Sequence, residues 1–238
     1  MRIENINVYN FENALRGMRN PKNSWDKSDS IYGLELNQAD AILSRTNQQP
    51  YEIIQIDNDL CEFVSIGPND LKLAQTLIKA GSEHRKFMRQ IFVSMDITAP
   101  LYWWKEMDQY KVGTTTDSCS TMHKITSEPI TLQSFETDDY NYRLFTDSLN
   151  DIDSSFVKPL ITHLEKLRKL YLETGVQDYW KELIRWLPEG WLQTRTWTGS
   201  YETIRSIYHQ RTTHKLKEWH QVCNAIESLP YASSLITI

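Results

Sequence analysis

The stretch Ser82 to Lys124, SEHRKFMRQIFVSMDITAPLYWWKEMDQYKVGTTTDSCSTMHK, decides how the chain is read. Three physical units follow one another in it. Phe87, Ile91, Val93, Met95 and Ile97 share one parity, and Gln90, Ser94 and Asp96 the other. That period-two alternation predicts a strand with one buried face. Pro100 stands where a first helical turn begins, with the fixed φ that suits it. It predicts an aromatic-rich helix over 101–111, stopped by Gly113 where a left-handed residue costs least. Residues 114–121 (TTTDSCST) are then nearly all hydroxyls, with one acid and one thiol. Such a run is either a solvated loop whose Ser and Thr side chains bond their own backbone, or a loop whose hydroxyls and amides hold an anionic ligand.

Upstream, residues 2–9 alternate imperfectly and read as an edge strand, with Asn10 as N-cap of a helix over 11–18. Residues 19–30 lack periodicity and read as a surface loop. Residues 37–44 have a short helical pattern. Residues 51–56 and 61–66 are strand-like runs around Asp57-Asn58-Asp59, which is turn chemistry, and together predict a hairpin. Pro68-Asn69 opens a helix over 70–80 that Gly81 stops. Downstream, 125–135 is short and mixed, and 138–149 recurs at helical spacing. Phe156, Leu160, Leu164, Leu167 and Tyr171 belong to a wide apolar stripe that predicts a helix over 153–174, closed by Gly175. A second helix is expected over 178–187, ended by Pro188. Ser200 caps a helix over 201–210, and a last one spans 214–229. No internal repeat or low-complexity linker interrupts the 238 residues, which read as one domain. The expected class is α/β (α+β), a mainly antiparallel sheet packed with several helices.

Composition narrows the functional classes. Apolar content of 40%, with eight Trp and twelve Tyr, excludes a disordered chain. A net charge of −5 argues against binding a nucleic-acid polymer. No apolar run approaches a membrane span, and the first residues lack the apolar core of a signal peptide. Cys61, Cys119 and Cys223 are far apart and form no Cys-x-x-Cys, which fits a reducing cytoplasm. Eight glycines make no G-x-G-x-x-G pattern, so a dinucleotide would be held by side chains and helix ends. The aromatic load exceeds what one core needs and favours interfaces.

The central stretch resembles the signature region of the flavin-dependent thymidylate synthases. That family has a strand beginning near a Glu-His pair, here Glu83 and His84, then a Pro-led helix, here at Ala99-Pro100. The helix runs into a motif of Arg-His-Arg, two spacers, Ser, a spacer, Asn-Glu, a spacer, Ser, a spacer and Arg-Tyr. Without a gap, the matching positions are Gln109-Tyr110-Lys111, Thr114, Thr116-Asp117, Cys119 and Thr121-Met122. Lys, Thr, Asp and Cys stand for the family's Arg, Ser, Glu and Ser. Gln109 and Thr121 replace arginines that help hold flavin and nucleotide phosphates. The C-terminal third is similar too: a helix ending in Arg211, a short turn and a closing helix, with Ser206 where the family has a flavin-contacting Asn. The family's His-Ala-Gln segment becomes His214-Lys215-Leu216. The resemblance covers residues 82–124 and 201–218.

This resemblance implies a homotetramer that binds FAD without a Rossmann fold. It implies reductive methylation of dUMP to dTMP with methylenetetrahydrofolate, NADPH reducing the flavin. The carried-over roles are Arg211 as the catalytic cation, Arg211 and Glu106 at the nucleotide, and Asp117, Cys119 and Ser120 in the nucleotide loop. His84, Gln109, Lys111, Thr114 and Ser206 fall to the flavin. Glu106 stands where the family tends to carry Gln, and an anion there is unfavourable unless protonated or paired. Two alternatives stay open, favoured by the two replaced arginines: the same fold acting on another pyrimidine nucleotide, for instance by hydroxymethylation, or a non-catalytic nucleotide-binding protein. Several residues also have plainer readings. Arg211 is a cation that a helix C-terminus favours anyway. Trp103 and Trp104 on a helix after a strand suit a core as well as a stacked ligand. Cys119 needs a base or cation beside it to act as a nucleophile and reads as a binding residue in place of Ser. His209, His214 and His220 are five and six apart, whereas a helical metal pair wants three or four.

Overall fold

The structure, a computed structural model, describes residues 1–33, 52–57, 60–137 and 156–238. Strand β1 (Arg2–Tyr9) leads into α1 (Phe11–Arg19); β2 (Ile31–Gly33), β3 (Glu52–Asp57) and β4 (Leu60–Ser65) precede α2 (Pro68–Lys79). Strand β5 (Phe92–Pro100) runs straight into α3 (Leu101–Met107), followed by β6 (Thr115–Ser118) and α4 (Thr121–Lys124). The rest comprises α5 (Lys158–Thr174), α6 (Gln177–Arg185), β7 (Leu192–Ser200), α7 (Tyr201–Arg211), α8 (Lys217–Glu227) and α9 (Ala232–Leu235). This is the expected α+β architecture. β3 and β4 form the expected hairpin, and β2 adds to β4, both pairs antiparallel, with an irregularity between Ile53 and Gln55. A second sheet has the order β1-β5-β7-β6, with β1 on an edge as its weak alternation predicts. Three side-chain pairs show how β5 lies on β7: Ser94 with Thr198 at 3.0 Å, Thr196 donating to Asp96 at 2.6 Å, and Thr98 with Thr194 at 2.7 Å. As one number rises by two its partner falls by two, which is an antiparallel register.

The central stretch differs from its reading in four places. The strand begins at Phe92, and Lys86–Arg89 is a 3₁₀ turn that buries the adjacent Phe87 and Met88 together, which a strand with alternating faces cannot do. Glu83 and His84 therefore lie in a turn well ahead of the strand. Pro100 is the extended N-cap of α3 (φ −69°, ψ 153°) and not its first helical residue; its fixed φ suits both positions. Helix α3 ends at Met107, capped by Asp108, so Gly113 takes its left-handed φ of 69° in the turn beyond rather than at the helix stop. Residues Thr115–Ser118 of the polar run form an edge strand, β6. Exposed throughout, it has no buried face to write an alternation into the sequence.

Elsewhere the helical readings hold with shifted ends. Gly175 (φ 69°) caps α5, which is described from Lys158, and Gly81 (φ 107°) follows α2. α6 begins at Gln177, and α8 begins at Lys217, not 214. Ser200 caps α7 as expected, its Oγ accepting from Thr203 N at 3.3 Å. Asn10 holds the cap position of α1 but does not cap it. It sits left-handed (φ 73°), its Nδ2 donates to Gln90 O at 2.9 Å, and its Oδ1 accepts from Asn13. The helical patterns over 37–44 and 138–149 lie outside the described residues.

The chain divides into two compact sets of residues. One comprises Met1–Arg2, Ile97–Gln109 and Asp117–Arg195. Its core joins Leu164 and Leu167 of α5 and Leu183 of α6 to Ile125, Ile130 and Phe135. Beside it Arg168 is buried, bonded to Glu165 at 2.7 Å and to Thr126 O at 3.0 Å. The hydrogen bond from Arg168 holds the Glu165 carboxyl below its ordinary value. The other set comprises Ile3–Asp96, Tyr110–Thr116 and Thr196–Ile238. Here Phe11 of α1 meets Tyr201 of α7 edge to face at 5.4 Å, and Tyr201 OH donates to Pro230 O at 2.8 Å. The segment after α1, read as a surface loop, is anchored: buried Arg19 pairs with buried Asp70 of α2 at 2.5 Å. Asp29 lends its carboxylate to the first amides of α2, Asn69 N at 2.9 Å and Asp70 N at 3.0 Å, because the cap residue Gly67 has no side chain to offer.

Candidate functional site

The structure binds the two resembling segments together within the second set of residues. Tyr110 to Thr114 lies against α7 at two points. Thr203, in the first turn, donates to Val112 O at 3.3 Å. At the far end Arg211 Nε donates to Tyr110 OH at 2.8 Å, and Tyr110 OH donates to Gln210 Oε1 at 3.1 Å. Thr114 closes the turn with a 2.6 Å bond from its hydroxyl to Tyr110 O. α7 ends at Arg211, and the turn through His214 places Trp219 of α8 against the guanidinium, whose carbon lies 4.4 Å from the indole centroid and 5.5 Å from the Tyr110 ring. Both distances are within cation–π range. Tyr110 and Trp219 meet edge to face at 6.1 Å, and the His214 ring lies 6.2 Å from Trp219. Trp219 is fully buried and Arg211 half-buried.

Of the other expected residues in this set, His84 and Lys111 are exposed, and Ser206 is exposed with its Oγ accepting from Gln210 Nε2 at 2.9 Å. A second basic group stands at the first turns of α7. Arg85 Nε reaches both oxygens of Glu202, at 3.0 and 2.7 Å, and Arg205 lies one turn further along α7. Burial, and then the charge of Arg85, pushes the Arg205 guanidinium below its ordinary value, with Glu202 acting against them. The three histidine rings turn to the backbone. His209 Nε2 donates to Ile236 O at 3.0 Å, His220 Nε2 to His214 O at 2.7 Å, and His214 Nδ1 accepts from Leu216 N at 3.2 Å.

In the first set, Trp103 and Trp104 are buried core residues, and Trp104 Nε1 donates to Gln193 O at 3.0 Å. Arg195 lies over the Trp104 ring at 4.3 Å and bonds Asp108 at 2.9 Å and Gln193 Oε1 at 2.8 Å. Gln109 is exposed, its amide donating to Lys105 O at 3.3 Å, and Glu106 is half-buried. Asp117 is exposed on β6. Cys119 is an exposed free thiol whose backbone is held from both sides: its amide donates to Thr194 O at 2.9 Å and its carbonyl accepts from Gln193 Nε2 at 2.9 Å. Ser120 Oγ caps α4 and pairs with His123 Nδ1 at 2.8 Å. Gln193 also donates to Thr121 Oγ1 at 3.0 Å. Sequence reasoning missed Tyr110, Trp219, Arg195, Arg85 and Glu202 as members of these clusters. Only Tyr110 carried a signal, since it lies inside the matched motif.

The fold is similar to that of the flavin-dependent thymidylate synthases. Among solved structures the chain is similar to the flavin-dependent thymidylate synthase ThyX of Helicobacter pylori complexed with FAD and dUMP, at 13% identity and a TM-score of 0.63. The match covers 100% of this chain and 98% of that one. A second structure of the Helicobacter pylori enzyme with FAD and dUMP is 14% identical with a TM-score of 0.64, over the same shares. No family model matches the chain, and no curated protein matches it. Among the described residues no helix is long and apolar enough to cross a membrane.

Proposed function

We propose that the chain is a flavin-dependent thymidylate synthase-like enzyme of the cytoplasm, which methylates dUMP using methylenetetrahydrofolate, with NADPH as reductant and a homotetrameric assembly. The observation that carries this reading is the convergence of the two resembling segments on Arg211, in a fold shared with enzymes crystallised with FAD and dUMP. Arg211 is the catalytic cation, stabilising charge that develops on the pyrimidine, with Glu106, Asp117, Cys119 and Ser120 as the further nucleotide contacts. His84, Gln109, Lys111, Thr114 and Ser206 hold the flavin. The donor set fits an anionic dinucleotide: Lys111 and His84 are exposed, and Gln109 and Ser206 offer polar atoms at the surface. When bound, FAD supplies the hydride. The protein's own work is to orient the ligands and exclude water.

Thr121 and Ser120, at the end of the motif, spend their hydroxyls on Gln193 and His123. This supports, as a second reading, a nucleotide-binding protein that has altered or lost methyl transfer. Purified protein carrying a yellow chromophore supports the flavoenzyme, and rescue of a thymidine-requiring cell supports thymidylate synthesis. A charged hydrogen bond contributes about 1.5–3 kcal/mol, so Arg211→Ala weakens dUMP binding by roughly tenfold to a hundredfold. Equal binding by wild type and Arg211→Ala in titration calorimetry removes Arg211 from the site. Absence of any pyrimidine nucleotide binding by wild type removes the enzymatic reading.

A further inference from the structure

We infer that Tyr110 and Trp219 form a clamp that sets the orientation of Arg211, with Tyr110 its positioning residue; the clamp's purpose rests on the nucleotide reading above. An arginine side chain has many rotamers, and an unrestrained guanidinium must be ordered at each binding event. Here two of its freedoms are removed in advance. The Nε–H is directed at Tyr110 OH, which fixes rotation within the guanidinium plane. The Trp219 indole, fully buried on α8, supports one side of the group at 4.4 Å. The clamp is itself braced. Tyr110 OH donates its own hydrogen bond to Gln210 Oε1, so its lone pairs stay turned to Arg211. Thr114 and Thr203 hold the Tyr110 to Val112 backbone at 2.6 and 3.3 Å. Tyr110 and Arg211 are 101 residues apart, so the contact is a product of the fold and not of local sequence.

The clamp also assigns a reason for arginine in particular. A lysine has no Nε–H to give Tyr110 and no planar face to lay on an indole. Arg211→Lys therefore keeps the charge and loses the orientation, which separates a positioning device from a simple cation. Tyr110→Phe keeps the ring beside Trp219 and removes the hydroxyl, which is both the acceptor for Nε and the donor to Gln210.

The test combines two readouts on wild type, Tyr110→Phe, Arg211→Lys, Arg211→Ala and the double variant Tyr110→Phe/Arg211→Ala, all first matched for far-UV circular dichroism and melting temperature. The first readout needs no ligand: the arginine Nε–Hε correlation in ¹⁵N NMR. Wild type shows a slowly exchanging Arg211 Hε signal, absent in Arg211→Ala and lost or strongly shifted in Tyr110→Phe. An Arg211 signal indistinguishable between wild type and Tyr110→Phe overturns the clamp. The second readout is dUMP affinity by titration calorimetry. Tyr110→Phe weakens binding about tenfold in the wild-type background and has no effect once Arg211 is alanine. An equal loss in both backgrounds overturns positioning in favour of a general structural role. Failure of wild-type protein to bind dUMP overturns the nucleotide reading alone, because the Hε signal still decides whether Tyr110 orients Arg211.

Discussion

Asp70→Asn changes one oxygen of a buried carboxylate that anchors two parts of the fold. The carboxylate is fully buried and takes five donors. Oδ1 accepts from Arg19 Nε at 2.5 Å, and Oδ2 from Ser28 Oγ at 2.6 Å, Ser30 Oγ at 2.6 Å, Ser30 N at 3.2 Å and Asp29 N at 3.3 Å. In the asparagine one oxygen becomes an NH₂ group that cannot accept. Turned toward Arg19, it opposes a buried cation with another donor. Turned toward residues 28–30, it opposes two backbone amides that cannot reverse, although the two hydroxyls can. Either orientation breaks a buried ion pair, at a cost of about 3–5 kcal/mol, against a total stability of roughly 5–15 kcal/mol for a folded protein. Urea unfolding of wild type, Asp70→Asn, Arg19→Met and the double variant measures this. The double variant should be more stable than the two single losses added together, by at least about 1 kcal/mol, because both partners of one pair are gone. The pH dependence has a definite sign. Burial alone pushes the Asp70 carboxyl up, but hydrogen bonds from Ser28, Ser30 and Arg19, with the guanidinium's charge, hold it below its ordinary value. A carboxyl depressed in the folded state stabilises fully above its unfolded value, about 3.9, and progressively less as pH falls through and below it. The gap between wild type and Asp70→Asn therefore narrows below about pH 4. A loss under about 1 kcal/mol at neutral pH, or a gap that does not narrow in acid, refutes the assignment of Asp70 as a buried anion.

Three further outcomes are expected. Gly199→Ala destabilises by about 1–3 kcal/mol in the same urea assay, because a Cβ there would sit 2.3 Å from the ring of buried Trp197; pairing it with Trp197→Leu should recover part of the loss. Glu202→Gln removes the carboxylate that pairs with Arg85 beside the half-buried Arg205; stability falls at low salt by about 1 kcal/mol or less, and the difference shrinks in 1 M salt. Cys119, exposed, is alkylated by iodoacetamide well before Cys223, which burial both shields and pushes up in pKa; peptide mass spectrometry over time shows the order, and Cys223 reacting first would contradict the described burial.

What the sequence determined by itself was whatever is local. The caps and stops came through because they depend on a residue's own backbone: Ser200 before α7, and Gly81 and Gly175 at left-handed φ. The hairpin of β3 and β4 came through from strand-like runs around turn residues, and the stripe of α5 and the alternation within β5 because burial writes periods of nearly four and of two into the residues. Resemblance singled out the segment around Tyr110 by motif spacing and Arg211 by the layout of helix, turn and closing helix, but as separate stretches. Tertiary structure decided which of these meet and which side chains are already spent. Asn10 has the chemistry of a cap, yet its amide is drawn to Gln90, 80 residues away. The polar run after Gly113 has no buried face, so its pairing beside β7 left no trace in it. Residues 19–30 read as a surface loop, and nothing in them showed that Arg19, Ser28 and Ser30 are tied to Asp70 on another helix. Arg211 itself read as the family's catalytic cation by resemblance and, by residue type alone, as any cation at a helix end. Its orientation comes from a hydroxyl 101 residues distant and a tryptophan on the next helix, contacts that only chain packing can bring together.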